Sequence, residues 1–256
     1  MIFTDTHTHL YVDTFDADIA DVIDRANAHN IKRFFIPAID SETTEAMYAL
    51  EKKYPEQVFL MMGLHPTSVK ADYKNELKHV EEELDKREFY AIGEIGIDLY
   101  WDSSLLKEQQ AAFRHQIKLA KKYKLPIVIH CRNAFDEVFE ILEEEKSDDL
   151  FGIFHCFTGT HKQAIKAIGY NLKLGIGGVL TFKNGKIDKF MSEIDLSHIV
   201  LETDSPYLAP TPYRGKRNES AYLMKVAKKL ADLHQVSLEE VAKITTENSN
   251  QIFGVS

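Results

Sequence analysis

Eight short apolar runs alternating with helical patterns limit what this chain can fold into more than any other feature of it. The runs are 2–7, 31–38, 57–63, 89–96, 125–131, 150–156, 171–177 and 197–203. They are rich in β-branched and aromatic residues, which suit a pleated, half-buried surface. Several, LPIVIHC (125–131) among them, are apolar throughout rather than alternating. That fits parallel strands covered on both faces. Helical patterns fall at 16–30, 41–54, 75–87, 107–124, 135–144, 161–169, 220–233 and 237–248, with a weaker one at 186–191. The first sets Ile19, Val22, Ile23 and Ala26 at helical spacing, and Ser237 with Glu240 forms a capping box before the last. This alternation predicts a single α/β domain over 1–256, a (β/α)8 TIM-type barrel. An open doubly wound sheet is the alternative. It would need a phosphate-cradling GxGxxG turn, of which Gly175–Gly178 is only a weak echo.

Charge narrows the function. A net charge of −9 and a pI near 5.7 argue against holding nucleic acid by bulk electrostatics, although a local basic mouth is compatible with both. Only two cysteines occur, each beside a histidine, so no disulfide framework is expected and a reducing cytoplasm is the default. The N-terminus lacks the basic and apolar regions of a secretory signal. Every apolar run is far shorter than the ~20 residues of a membrane helix. The expectation is a cytoplasmic protein, a monomer by default, without membrane contact.

In such barrels the active site lies at the C-terminal ends of the strands. Those ends carry His7 and His9, then His65, Glu94, His130, His155, and finally Glu202 and Asp204. Strand alternation would aim His7 and His9 the same way, about 7 Å apart. Six of these residues suit two divalent ions: one held by His7, His9 and Asp204, the other by His130 and His155, with Glu94 bridging. Imidazole with carboxylate suits Zn, Mn, Fe or Ni, whereas Mg prefers oxygen-rich sites. A bridging carboxylate would hold two cations at the ~3.5–4 Å used in two-metal hydrolysis, with a shared water activated near neutral pH. Asp204 is placed to orient that water and take its proton, which makes Asp204 and Glu94 the expected catalytic carboxylates.

FTDTHTHL (3–10), GLHP (63–66), IGEIGID (92–98), HCR (130–132), HCFTG (155–159) and LETDSPYLAP (201–210) resemble the signature blocks of the TatD family of metal-dependent hydrolases. That family lies in the amidohydrolase-like barrel superfamily. The resemblance runs in order from Phe3 to about Asn218. It implies a TIM-type barrel with a binuclear centre of two divalent cations (Mg, Mn, Zn or Ni). The implied activity is a deoxyribonuclease, a 3′→5′ exonuclease-type phosphodiesterase on single-stranded nucleic acid. Some relatives are instead described as D-aminoacyl-tRNA deacylases, which would place ester or amide hydrolysis on the same site. The family's metal ligands fall on His7, His9, Glu94, His130, His155 and Asp204, with Glu94 in place of the carboxylated lysine of related amidohydrolases. One departure is Ser220, where the family pattern has proline.

Four further residues are expected on the substrate side. His65 is a donor there or a structural hydrogen-bonding group. Arg132, two residues past His130, is a phosphate clamp or a salt-bridge partner. Glu202, two before Asp204, is placed to orient a ligand. Arg214 belongs with Lys216 and Arg217 to a loop that suits a nucleic-acid backbone or is simply solvated. Tyr207, Phe157 and Trp101 are candidates for base stacking or loop packing. Cys131 and Cys156 are expected to point away from the metals. A barrel whose metals only stabilise it is the non-enzymatic alternative.

Overall fold

The structure is a computed structural model describing residues 1–255. Eight parallel strands form a barrel: β1 Phe3–Asp5, β2 Ile31–Pro37, β3 Val58–Met61, β4 Ile92–Asp98, β5 Ile127–Arg132, β6 Gly152–Phe154, β7 Leu172–Ile176 and β8 Ile199–Leu201. The ladder is continuous within β1–β3 and within β4–β8. Between those sets, the Tyr90 N–H donates to Leu60 O (2.9 Å) and Met62 bridges to Ile92. At the other seam the Thr6 N–H donates to Leu201 O (3.0 Å). The helices lie outside: α1 Ile19–Ala28, α2 Thr44–Lys53, α3 Tyr73–Lys86, α4 Leu106–Tyr123, α5 Phe135–Glu144, α6 His161–Ile168, α7 Leu223–His234 and α8 Leu238–Phe253. Among the described residues no helix is long and apolar enough to cross a membrane.

Two expectations need correction. The weak helix at 186–191 does not form. The β7–β8 connection is a chain of 3₁₀ turns, Gly178–Thr181, Ile187–Lys189, Met191–Glu193 and Leu196–His198. Asn184-Gly185 interrupts the segment, and α7 packs over these turns instead. Both C-terminal helices therefore follow β8, and α8 covers the β8–β1 seam. The first run also ends early: β1 stops at Asp5, so His7 and His9 lie beyond it.

Strand alternation sorts the core into two parts. Phe34 and Ile36 face the helices, whereas Phe35, Met61, Val128, Ile153 and Val200 fill the barrel. Phe253, from the end of α8, closes the barrel's lower end, its ring 3.7 Å from that of Phe35 and stacked on it. Phe253→Ala is expected to cost about 3 kcal/mol, because the cavity it leaves is lined by aromatic rings that cannot collapse into it. A urea midpoint within error of the parent would contradict this role. Two residues above the apolar filling, the same strands turn chemical: Val128 is followed by His130, Ile153 by His155 and Val200 by Glu202.

Candidate metal centre

Glu94 owes its position to an irregularity in β4. Gly93 pairs with Val128 and Ile95 with Ile129, so Glu94 is an extra residue between them. A bulge of this kind re-aims a side chain, and Glu94 is buried at the barrel's upper end (2 % exposed). His7 and His9 are placed by a zipper between the segments that follow β1 and β8. The Asp204 N–H donates to His7 O (2.9 Å), and the His9 N–H to Ser205 O (2.8 Å). The Thr8 and Ser205 hydroxyls meet at 2.6 Å. Asp204 itself is left-handed (φ 55°), a strained conformation for a non-glycine residue that this zipper holds.

The side chains converge on Glu94. Its Oε2 lies 3.0 Å from His7 Nε2 and 3.6 Å from His9 Nε2. Its Oε1 lies 2.7 Å from His130 Nδ1, 3.4 Å from His65 Nε2 and 3.6 Å from His155 Nε2. Asp204 Oδ1 stands 3.5 Å from His9 Nε2, 3.9 Å from His155 Nε2 and 4.0 Å from His7 Nε2. Four overlapping donor sets could hold a cation, three of them around Glu94 and Asp204: His7, His9 and Glu94; His7, His155 and Asp204; His65, Glu94 and His130; the fourth is His155, Cys156 and Glu202 behind them. The donor chemistry fits divalent metal, because lone pairs of buried imidazoles and carboxylates face one another across common points. His65, expected as a substrate-side donor, thus sits among potential ligands.

Four of the five imidazoles around Glu94 have a polar neighbour of their own, whereas His7 Nδ1 has no hydrogen-bond partner among the described residues. His130 Nε2 is 2.9 Å from Asp98 Oδ2, and His155 Nδ1 is 3.0 Å from Glu202 Oε1. His9 Nδ1 meets the Tyr11 hydroxyl at 3.1 Å, and His65 Nδ1 accepts from the Thr67 N–H at 3.1 Å. Asp98 and Tyr11 escaped the sequence reading, although Asp98, four residues past Glu94 at the end of β4, carried the same strand-end signal as the ligands. Glu202, grouped with the substrate-side residues, was expected to orient a ligand, and its position beneath His155 fits the latter role rather than substrate contact: it is fully buried, accepts from the Cys156 N–H (2.7 Å), and packs on Gly175, where a Cβ would sit 2.2 Å from its Oε2. Ser220, the departure from the family pattern, donates its hydroxyl to the buried Asp5 Oδ2 (2.7 Å), which also accepts from the Thr203 hydroxyl (2.6 Å).

Protons partly balance the carboxylates in the metal-free protein. Burial works against charge on His155, but Glu202 and Glu94 outweigh it and push the imidazole up to about 10. Burial likewise opposes charge on His130, where Asp98 and Glu94 prevail and push it up to about 9. Burial also opposes ionisation of Glu94, yet the surrounding imidazoles hold it well below the usual carboxylate range. His7 is pulled down, first by burial and then by His155. Both raised histidines lie above 6.5 when folded, so their contribution to metal-free stability is complete below pH 6.5 and is lost as pH rises through 9 and 10. In EDTA the melting temperature is expected to fall over that window. A rise would contradict the charge assignment.

A cavity of about 640 Å³ opens above these residues, walled by His9, His65, Arg132, Trp101, Thr158 and Tyr207 among others. Cys131 and Cys156 also line it, against the expectation that they turn away. Phe157 does not reach it, being buried against Phe135 and Phe154. Arg132 does, its guanidinium over the Tyr100 ring at 3.7 Å. The basic loop is largely spent within the fold. Arg217 forks onto Asp18 (2.8 and 2.6 Å), and Arg214 lies over Phe182 while donating to Ala209 O (3.1 Å). Neither they nor Lys216 line the cavity.

This architecture is shared. A family profile described as TatD related DNase matches residues 4–254. The chain is 40% identical over its full length, and over all of the relative's, to a protein of Bacillus subtilis (strain 168) named Uncharacterized metal-dependent hydrolase YabD. It is 31% identical to the Escherichia coli (strain K12) protein named Uncharacterized metal-dependent hydrolase YcfH, covering 100% of this chain and 97% of that one. The crystal structure of YjjV, a TatD homologue from Escherichia coli K12, superposes with a TM-score of 0.93 at 28% identity, over 99% of this chain and 98% of its own. The chain is a member of the TatD family and a metal-dependent hydrolase.

Proposed function

We propose that the protein is a two-metal phosphodiesterase acting on nucleic-acid ends, a deoxyribonuclease of 3′→5′ exonuclease type on single strands. The observation that carries this reading is the division of labour at Glu94. One carboxylate oxygen faces His7 and His9, and the other faces His65, His130 and His155. His7, His9 and Asp204 would hold one cation, and His130 with His155 and His65 the other, with Glu94 common to both. Bound divalent ions supply Lewis-acid polarisation of a phosphoryl oxygen and acidify water.

The chain's own residues supply the rest. Asp204 is held ionised, since the imidazoles around it overcome the opposing effect of burial. Its left-handed backbone fixes it at the cavity floor, where it accepts the proton of the attacking water. Asp98 and Glu202 fix the ring orientations of His130 and His155. Arg132 reaches into the cavity and offers a planar donor pair to a phosphate.

The test is release of mononucleotides from a labelled single strand with a free 3′ end, abolished by EDTA and restored by divalent metal. A parallel arm uses D-aminoacyl-tRNA. Deacylation there, without nucleotide release from the strand, would replace the phosphodiesterase reading with ester hydrolysis on the same site.

A further inference from the structure

The rim of the cavity carries a feature the metal centre does not use. Trp101 and Tyr100 are among the most exposed large apolar side chains of the chain (69 % and 54 %), and they stand together, edge to face, with ring centroids 5.0 Å apart. Exposed aromatics on a loose loop would mean little, but this loop is fixed. Asp98 Oδ1 accepts the N–H groups of Tyr100 (2.9 Å) and Trp101 (3.1 Å), and the Leu99 N–H donates to Arg132 O (2.9 Å). The carboxylate that supports His130 thus also sets the platform. Beside it lies Arg132, its guanidinium 5.4 Å from the Trp101 ring. Among the described residues it has no carboxylate partner, and it is the only lysine or arginine lining the cavity.

The spacing of these groups has a length built into it. Arg132 follows His130 by two residues on β5, a displacement of ~6.6 Å along the strand. That is on the order of the distance between neighbouring phosphates of an extended single strand. A phosphate at the Glu94 cluster therefore leaves its neighbour within reach of Arg132, and the adjoining base against Trp101, since any base offers a π-face for stacking. Beyond this the charge is mixed. The next groove, past Tyr207, is lined by Asp13 and Glu42 together with Lys216 and Arg217, and Arg217 is already engaged by Asp18. A longer strand continuing that way meets both signs of charge.

Building on the phosphodiesterase reading, we propose that the unit recognised here is a 5′-phosphorylated dinucleotide: its internucleotide phosphate at the Glu94 cluster, its 5′-phosphate held by Arg132, one base stacked on Trp101. Nucleotides further along the strand contribute nothing. The protein then works on very short oligonucleotides as well as it works on the ends of long strands.

Trp101 is the chain's only tryptophan, so its fluorescence reports the platform directly. Titrating the protein with 5′-phosphorylated, hydrolysis-resistant phosphorothioate thymidylates in Mn²⁺ is expected to quench that emission. The dimer and the hexadecamer should give the same Kd within about threefold. The salt dependence should be shallow, a log–log slope no steeper than about −1.5, as two phosphate contacts on a single strand give about −1.4. In turnover on ordinary 5′-phosphorylated oligothymidylates, kcat/KM per 3′ end should be level from the dimer to the hexadecamer. Trp101→Ala should raise KM for the dimer about tenfold with kcat within threefold, and Trp101→Phe should restore it. A kcat/KM that climbs more than tenfold from dimer to hexadecamer, a slope steeper than −2, or binding without quenching would overturn the dinucleotide unit while leaving a phosphodiesterase. Absence of nucleotide release at every length would instead remove the phosphodiesterase reading, and this proposal with it.

Discussion

Glu94→Gln is expected to lower kcat by on the order of 10³ or more, a loss of about 4 kcal/mol of transition-state stabilisation. The substitution keeps the shape of the side chain and removes only its charge. Among the described residues none other touches as many of the imidazoles: Glu94 lies within 3.6 Å of His7, His9, His65, His130 and His155. A neutral amide in that place cannot offset the repulsion between two cations. Elemental analysis after metal loading should therefore show fewer ions per chain than in the parent. A readout free of turnover and of metal is also available. Glu94 helps hold His130 near 9 and His155 near 10, so both should titrate at lower pH in the metal-free variant when followed by NMR. Circular dichroism should be unchanged. Parent-like metal content together with kcat within tenfold of the parent would remove Glu94 from the centre of the mechanism.

Gly96→Ala should be the most damaging small change to the fold. Gly96 sits in β4 with φ +146°, and an added Cβ would lie 2.0 Å from His130 O and 3.0 Å from His130 C. Those are backbone atoms of the neighbouring strand, so nothing flexible can give way. The methyl group must push β5 aside, break ladder bonds or unfold this edge of the barrel, at a cost of several kcal/mol. It also drives His130 from its place between Glu94 and Asp98. Gly254→Ala is the control. That glycine also has positive φ (+67°), but among the described residues nothing lies within 4 Å of its Cβ position. Its cost is confined to the left-handed backbone, about 1 kcal/mol. Equal denaturation midpoints for the two variants would show that the close approach of β4 to β5 is not the deciding factor.

The strand-by-strand plan of the barrel was legible because it is written in a repeating contrast, apolar run against amphipathic helix, that survives local irregularity. Its failures have local causes. The connection at 178–196 folds as 3₁₀ turns because α7, from forty residues on, supplies the cover that a local helix would give. Residues that converge at the centre were visible because strand ends collect there, whatever their register. The register itself was not. Glu94 faces inward through a bulge, and His7 and His9 are held by a zipper to 201–205 after β1 has ended. Neither device leaves a periodic trace. The basic loop misled for a related reason: sequence shows that Arg217 is charged but not that Asp18, some two hundred residues earlier, lies within 2.6 Å. Glu202 and Asp204, two residues apart, part company because the backbone turns left-handed at Asp204.

The two-tier strands described above have an evolutionary reading. Along β5, and along β6 and β8 and the residue just past each, the position that fills the barrel and the position that serves the site are different, Val128 below His130, Ile153 below His155, Val200 below Glu202. Selection for a new substrate can work on the upper members and the loops beyond them while the lower members keep the chain foldable. A descendant protein can thus abandon its ancestral reaction without first surviving a period of instability.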